Sequence, residues 1–232
     1  MDDLSSPTGR EPALQAEPRA DGNPPRALVL GGTGYIGGRL VPRLLAAGYR
    51  VRLLARDARR VAAFPWGERV EVVEGTATDV DALTEAAADA DVLYYLIHSM
   101  SAGRDFEDAD RRAAHAVVRA SEEAGVSRIV YLGGLHPEGV DLSPHLRSRV
   151  EVGETFLDST VPALVLQAGV VIGAGSASFE MVRHLTEVLP YMPAPRWVRN
   201  RIQPIAVRDV LHYLLGAARI PDEVNRAVDI GG

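Results

Sequence analysis

Short apolar runs alternate with amphipathic segments along the chain from Arg26 onward. The apolar runs are Ala27–Leu30, Val51–Ala55, Val70–Val73, Val92–Ile97, Ile129–Leu132 and Ala163–Leu166. The segments of helical periodicity between them are Gly34–Ala47, Val80–Ala88, Arg104–Ala124 and Pro144–Leu157. Strands that alternate with helices indicate a parallel sheet, and near-continuous apolar strands indicate that both of its faces are covered. Because crossovers between parallel strands are right-handed, the pattern predicts a doubly wound α/β domain.

The two ends of the chain differ from this alternating region. Residues 1–25 are rich in proline and poor in large apolar residues, which is typical of a disordered tail. After Leu166 glycine and proline become frequent, and we expect a substrate-side segment from about residue 168. The elements predicted in this segment are helices at Ser178–Leu189 and Val207–Ala218 and an apolar run at Ala227–Ile230.

The substrate-side segment carries several candidate pocket residues. Gly173–Glu180 and Met181 are expected beside the nicotinamide or the substrate, and Tyr191 and Trp197 either form an apolar lid or pack in the core. Because the chain stops directly after an apolar run, we expect the natural protein to continue beyond Gly232. A fragment of this kind would leave an apolar patch exposed on the substrate side, including Met181, Leu185 and Trp197.

A glycine-rich segment follows the first apolar run directly. Its sequence, GGTGYIGG, spans Gly31–Gly38 and has GxxGxxG spacing between a predicted strand and a predicted helix. The first glycine permits a tight turn, the second lets backbone N–H groups approach a pyrophosphate, and the third allows the helix to pack closely on the strand. The helix then presents unpaired N–H groups and its dipole to the anion. The predicted cofactor contacts of this Rossmann-type turn are Gly31, Thr33, Gly34, Tyr35, Ile36 and Gly37.

The residue after the second strand bears on the choice between NAD and NADP. An acidic residue there binds the ribose 2′-OH of NAD, whereas an arginine suits the 2′-phosphate of NADP. Arg56 stands at about this position with Arg59 and Arg60 close behind, so the sequence favours NADP, with NAD as the alternative. Asp57 opposes this assignment if it repels the phosphate, but it can instead cap the next helix.

The ends of the third and fourth strands supply further candidates for the cofactor site. Asp79 follows the third strand, where it either meets the adenine edge or caps the helix that begins at Val80. Ile97 and His98 end the fourth apolar run, at the carboxyl edge of the sheet that faces ligands in doubly wound folds. We predict that His98 and the following Ser-Met line the pocket, with catalysis by His98 or Ser99 as an alternative.

Composition narrows the classes of function. The net charge of -6 and the pI of about 5.5 argue against a nucleic-acid-binding protein. The absence of cysteine excludes disulfides, thiolate metal sites and cysteine nucleophiles, and we expect a cytoplasmic protein. All 25 basic residues are arginine, which excludes every lysine-dependent mechanism. No apolar stretch has the length of a membrane span, and the histidines lack the spacing of a metal site.

These residues together resemble the short-chain dehydrogenase/reductase superfamily in its atypical and extended branches. The matching features are GGTGYIGG after the first strand, Arg56 after the second, Asp79 after the third and the later segment QPIAVRDV. Over residues 26–232 the chain is similar to NmrA-like NAD(P)-binding proteins, to the accessory nucleotide-binding subunit of respiratory complex I, and to bacterial proteins in which a further C-terminal domain follows. The resemblance implies a Rossmann domain that binds NADP or NAD and agrees with truncation at Gly232.

The chain departs from the superfamily at the catalytic positions. Dehydrogenases of this type use a serine at the end of the fifth strand and a Tyr-x-x-x-Lys on the following helix, where lysine lowers the tyrosine pKa so that the phenol exchanges a proton. Here the fifth strand ends in Gly133-Gly134, His145 takes the tyrosine position and Arg149 the lysine position. The resemblance therefore implies that the standard relay is absent and that activity on simple ketones and alcohols is weak or absent.

His145 and Arg149 are the candidate catalytic residues. They lie one helical turn apart on one face, and histidine exchanges protons near neutral pH, although the fixed charge of Arg149 disfavours protonation of His145. The alternatives are that His145 lines the pocket, binds the ribose or lies on the surface.

Two functions stay open at this point. One is an NAD(P)-dependent oxidoreductase or isomerase with a non-standard proton donor, and the other is a regulatory or structural dinucleotide-binding module without turnover. The expected partners are a dinucleotide and an unknown small molecule, and an oligomer is compatible with the sequence.

Overall fold

The chain forms a parallel sheet covered by helices on both faces. The computed structural model describes residues 14–98, 106–137, 139, 141–176, 179–180, 183–184, 187, 203–221 and 223–231. The strands, numbered in chain order, are β1 (Arg26–Leu30), β2 (Arg50–Ala55), β3 (Glu71–Glu74), β4 (Val92–Tyr95), β5 (Arg128–Gly134), β6 (Ala163–Ala168), β7 (Val171–Ile172), β8 (Ile205–Ala206) and β9 (Arg226–Ile230). The helices are α1 (Gly37–Ala46), α2 (Ala58–Ala62), α3 (Val80–Ala87), α4 (Phe106–Ala124), α5 (Pro144–Leu157) and α6 (Val207–Ala217).

The strand order of the main sheet is β3-β2-β1-β4-β5-β6-β9, and every neighbouring pair is parallel. The chain builds outward from β1 to β3 and then crosses back to place β4 on the other side of β1. This reversal creates a crevice at the carboxyl ends of β1 and β4, where doubly wound folds bind their ligands. The predicted doubly wound fold is confirmed.

The hydrophobic core is divided into two layers by the sheet. Successive strand residues point to opposite faces, so Val29 of β1 belongs to the layer beneath α1 and α6, whereas Leu28 belongs to the layer beneath α3, α4 and α5. Leu40 of α1 and Phe156 of α5 are both fully buried in their respective layers. Each buried side chain of this size contributes about 1.5–3 kcal/mol, so the layers fix the strands that carry the site.

Most element boundaries follow the predicted pattern, and the exceptions have local causes. Helix α5 covers the predicted range because Ser143 accepts a hydrogen bond from the Leu146 N–H as N-cap and Pro144 occupies the first turn. Helix α1 begins at Gly37 because the preceding glycine-rich residues form a turn. Helix α2 and the β7–β8 ladder were not predicted, since such short elements give no periodic signal.

Residues 14–25 depart from the disordered tail predicted for residues 1–25. The Ala16 N–H donates to the Ala47 carbonyl at 2.7 Å. The guanidinium of Arg19 bonds both carboxylate oxygens of Asp91 at 2.9 Å and pairs with Asp89 at 2.6 Å. This stretch is therefore held against the amino-terminal edge of the sheet, on the side opposite the ligand crevice.

Candidate dinucleotide site and active site

The glycine-rich turn joins β1 to α1 at the crevice. Gly31 has a φ of +89°, a conformation that L side chains rarely adopt, and a β-carbon there would lie 2.8 Å from the Leu96 carbonyl oxygen. A β-carbon at Gly37 would overlap the Gly31 carbonyl, because the helix starts in close contact with the turn. The Gly34 N–H closes the turn by donating to the Gly31 carbonyl at 2.9 Å.

The first turn of α1 offers unused hydrogen-bond donors. The backbone N–H groups of Tyr35, Ile36 and Gly37 make no hydrogen bond within the described part of the chain, whereas the Gly38 N–H already donates to the Gly34 carbonyl. Gly34 is exposed at the centre of this turn, and its missing side chain leaves space in front of those donors. The turn therefore fits a pyrophosphate, which the unpaired N–H groups and the helix dipole would stabilise.

The remaining turn residues support this geometry rather than occupying the ligand space. Thr33 is half-buried within the turn, and the side chain of Ile36 packs against the core layer beneath α1. The Tyr35 hydroxyl is buried without a hydrogen-bond partner among the described residues, and it stands 2.5 Å from where a β-carbon of Gly173 would lie. Arg39 stacks on the Tyr35 ring at 4.1 Å and donates to the Ala174 carbonyl at 3.0 Å, so the turn contacts the start of the substrate-side segment.

The carboxyl end of β2 carries an unpaired positive charge. Arg56 is exposed, and its guanidinium makes no ion pair within the residues that the structure describes, and the same holds for Arg60. Asp57, by contrast, caps α2 by accepting from the Arg59 N–H at 2.9 Å and pairs with the Arg59 side chain. These hydrogen bonds hold the pKa of Asp57 below its usual value. Asp57 therefore acts as a helix cap whose charge is partly offset by Arg59.

Asp79 and Ile97 lie at the carboxyl ends of β3 and β4. Asp79 is the N-cap of α3, since its Oδ1 accepts from the Ala82 N–H at 3.2 Å, and it is exposed at the sheet edge. Ile97 is half-buried beside the first glycine, and its Cγ2 lies 3.0 Å from where a β-carbon of Gly31 would stand. The cap role of Asp79 is thus realised, and Ile97 borders the crevice between β1 and β4.

The end of β5 is surrounded by basic side chains. A β-carbon at Gly134 would lie 2.9 Å from Leu146 Cδ1 and 3.6 Å from Arg149 Nη1, so both side chains of α5 lie over this glycine. His136, two residues further, bonds the Gly134 carbonyl through Nδ1 at 3.2 Å. Because a carbonyl oxygen only accepts, Nδ1 carries the proton in this contact, and Nε2 of the neutral ring is then an acceptor. Sequence reasoning missed His136, although its place directly after a predicted strand was a usable signal.

His98 belongs to the same sheet edge. The β4–β5 register ends at the pair Tyr95–Tyr131, and the exposed His98 lies three residues beyond the end of β4. Partial desolvation and the nearby charge of Arg149 lower the pKa of His98, while Asp110 opposes this effect. A lowered pKa favours the neutral imidazole near pH 7, and the pocket position of His98 stays a prediction.

The structure does not bring His145 and Arg149 together as a pair over the sheet. The exposed His145 ring stacks on Phe106 at the start of α4, with 4.5 Å between the ring centroids. Arg149 is half-buried and reaches the sheet edge over Gly134. One turn of α5 therefore separates a residue at the rim from a residue within the crevice.

A buried polar contact between α4 and α5 was also missed. The Ser148 hydroxyl donates to Asp110 Oδ2 at 3.0 Å, and both residues are buried. The Tyr131 hydroxyl donates to the Arg149 carbonyl at 3.2 Å, and burial raises the pKa of that phenol. A carboxylate on the apolar face of α4, one helical turn before Ala113 and Ala114, was the signal available in the sequence. These contacts anchor the turn of α5 that carries Arg149.

Several predicted pocket residues lie outside the described residues, namely Ser99, Met100, Met181, Leu185, Tyr191 and Trp197. Within the described residues, no group of three or more His, Asp or Glu side chains is arranged to hold a metal ion. None of the described helices is long and apolar enough to cross a membrane.

Comparisons with known proteins agree with the geometry. The chain is 26% identical over 216 residues to mouse (Mus musculus) NADH dehydrogenase (ubiquinone) 1 alpha subcomplex subunit 9, mitochondrial, covering 89% of this chain and 56% of that protein. It is 33% identical over 116 residues to a 3 beta-hydroxysteroid dehydrogenase/Delta 5-->4-isomerase of Mycobacterium tuberculosis, covering 46% of this chain and 30% of the relative. The chain thus spans about half or less of the length of these curated relatives.

A solved structure shows the same fold. The enzyme WbmG of Bordetella bronchiseptica in complex with NAD superposes with a TM-score of 0.73 at 17% identity, covering 91% of this chain and 74% of that one. A family model described as NAD(P)H-binding matches residues 31–155, which include the glycine-rich turn and most of α5. The predicted resemblance to short-chain dehydrogenase/reductases is confirmed, and the chain belongs to the NAD(P)H-binding family.

Proposed function

We propose that this chain is an NADP(H)-dependent reductase or isomerase of the short-chain dehydrogenase/reductase type that works without the Ser/Tyr/Lys relay. The observation that carries the proposal is the turn at Gly31–Gly37, whose Tyr35, Ile36 and Gly37 N–H groups have no hydrogen-bond partner among the described residues. The bound dinucleotide would supply or accept a hydride, and the residues of this chain would bind and orient it.

The preference for NADP over NAD rests on the end of β2. Arg56 and Arg60 are exposed cations without an ion-pair partner in the described part of the chain, and the nearby Asp57 is engaged with Arg59. An arginine fork gives a charge-assisted, bidentate contact to a phosphate. The contacts of Asp57 with the N–H and side chain of Arg59 offset part of its charge and so weaken its repulsion of a phosphate.

The proposal gives each of the other candidate residues its own role in the site. Gly31, Thr33, Gly34 and Gly37 shape the pyrophosphate turn, and Tyr35 and Ile36 add N–H donors. Asp79 and Ile97 would border the adenine and the crevice floor, and His98 would line the nicotinamide side. Arg149 would take the place of the superfamily lysine, whereas His145 would border the pocket through its stack on Phe106.

A dinucleotide-binding module without turnover is the second candidate. The space where a serine would sit at residue 134 is closed by Leu146, and the chain contains no lysine. One relative is named as a subunit of a larger complex, and another as a dehydrogenase and isomerase, so the relatives include both kinds of protein. We further propose a cytoplasmic location, with which the cysteine-free sequence is compatible.

Measurements of NADPH binding and of NADPH oxidation distinguish the enzyme from the binding module. NADPH binding is measured by calorimetry, and NADPH oxidation is followed in the presence of quinones, aldehydes and enones, with simple ketones and alcohols as the expected poor substrates. Oxidation by a member of the panel, reduced by Arg149→Ala, supports the enzyme. Tight NADPH binding without oxidation by any member identifies the binding module, and absence of dinucleotide binding contradicts both candidates.

A further inference from the structure

Three nitrogen-bearing side chains surround the end of β5, and we call His98, His136 and Arg149 the Gly134 cluster. Arg149 lies over Gly134, His136 donates to its carbonyl through Nδ1, and His98 follows β4 near enough to Arg149 for that charge to lower its pKa. The members come from the end of β4, the loop after β5, and α5. No sequence motif joins them, because only the sheet brings these segments together.

The charge of Arg149 lacks a counter-ion. Its guanidinium makes no ion pair with any residue that the structure describes, although it is half-buried. The neighbouring Arg147, which is more exposed, pairs with Glu107 at 3.5 Å. A partly desolvated cation without a partner is unfavourable, so an anion at this position would be stabilised by a charge-assisted contact.

The carboxylate of Asp110, which acts electrostatically on His98, already accepts a hydrogen bond. Asp110 is buried between α4 and α5, where it accepts from the Ser148 hydroxyl, and its charge opposes the effect of Arg149 on His98. An anion that balances Arg149 would therefore come from outside the described residues.

We propose that the Gly134 cluster binds the carboxylate group of the small-molecule substrate. The inference rests on the proposed function, because it names the substrate class for that site. Arg149 supplies a planar fork for the carboxylate oxygens, and the neutral His98 ring supplies an N–H donor at the same edge. His136, whose Nδ1 donates to the Gly134 carbonyl, helps to fix the loop that follows β5.

The pKa of the His98 imidazole should change when the proposed carboxylate binds. Its charged neighbours among the described residues are Arg149 on α5, which disfavours protonation, and Asp110 on α4, which favours it. A bound carboxylate offsets Arg149, so the pKa of His98 should rise on binding. The readout requires neither turnover nor a known substrate.

The test is an NMR titration of the full chain with acetate and with pyruvate, at constant ionic strength, without dinucleotide and with saturating NADP⁺. The His98 signals are assigned with His98→Asn. We expect a saturable response and a raised His98 pKa with carboxylates in both states. Arg149→Met, which keeps the apolar stem, should weaken binding by about tenfold or more, whereas Arg147→Ala should leave it unchanged.

Three results would overturn the inference. The first is that neither carboxylate changes the His98 signals in a saturable way, and the second is that Arg149→Met responds as strongly as the parent. The third is that the response disappears when NADP⁺ is bound, which would assign the Arg149 charge to the dinucleotide. Inorganic phosphate is the matched probe, and stronger binding of phosphate than of carboxylates also contradicts the assignment. NADPH affinity measured separately distinguishes this failure from failure of the proposed function, since the cluster can fail while the dinucleotide still binds.

Discussion

The guanidinium of Arg149 lies against the backbone of Gly134, with Nη1 3.6 Å from the point where a β-carbon of residue 134 would stand. Leu146 closes the same space from the other side, with Cδ1 2.9 Å from that point. The position where related dehydrogenases hold a serine is therefore filled by side chains of the following helix. Glycine at this position and the substitutions on α5 are parts of one packing arrangement.

Gly134→Ser should destabilise the fold and should not create dehydrogenase activity. The added side chain has to displace the Cδ1 methyl at the flexible end of Leu146, so the loss should lie near the lower end of the ~1–3 kcal/mol that overpacking costs. The free energy of unfolding is measured with urea, and Gly216→Ser is the control, because the nearest atom to a β-carbon there is 3.9 Å away. Combining Gly134→Ser with Leu146→Ala should recover part of the loss in a double-mutant cycle. Full stability of Gly134→Ser alone would contradict the packing argument.

Gly34→Val should abolish dinucleotide binding in a folded protein. Residue 34 is exposed, and a β-carbon there meets only the Gly31 carbonyl, at 3.2 Å, so the valine projects into the proposed pyrophosphate space. We expect at least about tenfold weaker NADPH binding by calorimetry, equal to about 1.4 kcal/mol, with an unchanged circular dichroism spectrum. Gly37→Val is the contrasting variant, since its β-carbon overlaps the Gly31 carbonyl and should unfold the turn. Unchanged affinity in folded Gly34→Val would place the dinucleotide elsewhere.

Arg56→Ala should weaken NADPH more than NADH. The physical reason is the loss of a charge-assisted contact to the 2′-phosphate, which NADH lacks. Calorimetry with both dinucleotides gives the ratio of the two losses, and a phosphate-specific loss of about 1.5–3 kcal/mol is expected. Arg59→Ala serves as the matched control, because its side chain is 93% exposed and already paired with Asp57. Equal losses for NADPH and NADH would exclude Arg56 as the phosphate ligand.

Arg19→Ala should destabilise the domain without changing dinucleotide affinity. Arg19 joins residues 14–25 to Asp89 and Asp91, and Asp89 adopts a left-handed φ of 60°. The aspartates are partly exposed, so the expected loss is about 1 kcal/mol, measured by urea unfolding. A second arginine variant, Arg59→Ala, should leave stability unchanged. Stability equal to that of the parent would show that this segment adds nothing to the fold.

The effect of Arg19 should depend on pH. Its hydrogen bond holds the pKa of Asp89 below the ordinary value. A depressed carboxylate pKa contributes stability that is present above the unfolded value of about 3.9 and is lost as pH falls through the folded value. The difference between the parent and Arg19→Ala should therefore be constant near neutral pH and narrow below about pH 4. A difference that widens in acid would contradict the assignment.

Local patterns in the sequence were sufficient for the fold and the cofactor turn. The strand–turn–helix at Gly31–Gly38 depends on residues that are neighbours in the chain, as do the period of the apolar runs and the Ser143-Pro144 start of α5. Such features are set by backbone sterics, capping and hydrophobic periodicity within one or two elements, so they can be read without knowing the tertiary structure.

Only the tertiary structure decided what the other residues do. Asp57 was ambiguous in the sequence and became a helix cap, and Arg19 bonds an aspartate 72 residues away. His136 was considered in the sequence only as a metal ligand, whereas in the structure it bonds the Gly134 carbonyl. Arg149 reaches the sheet edge, and the His145 ring stacks on Phe106. Each of these outcomes depends on which distant segments the parallel sheet places side by side. The spacing of residues along the chain does not show which segments become neighbours, because the packing of whole layers decides this.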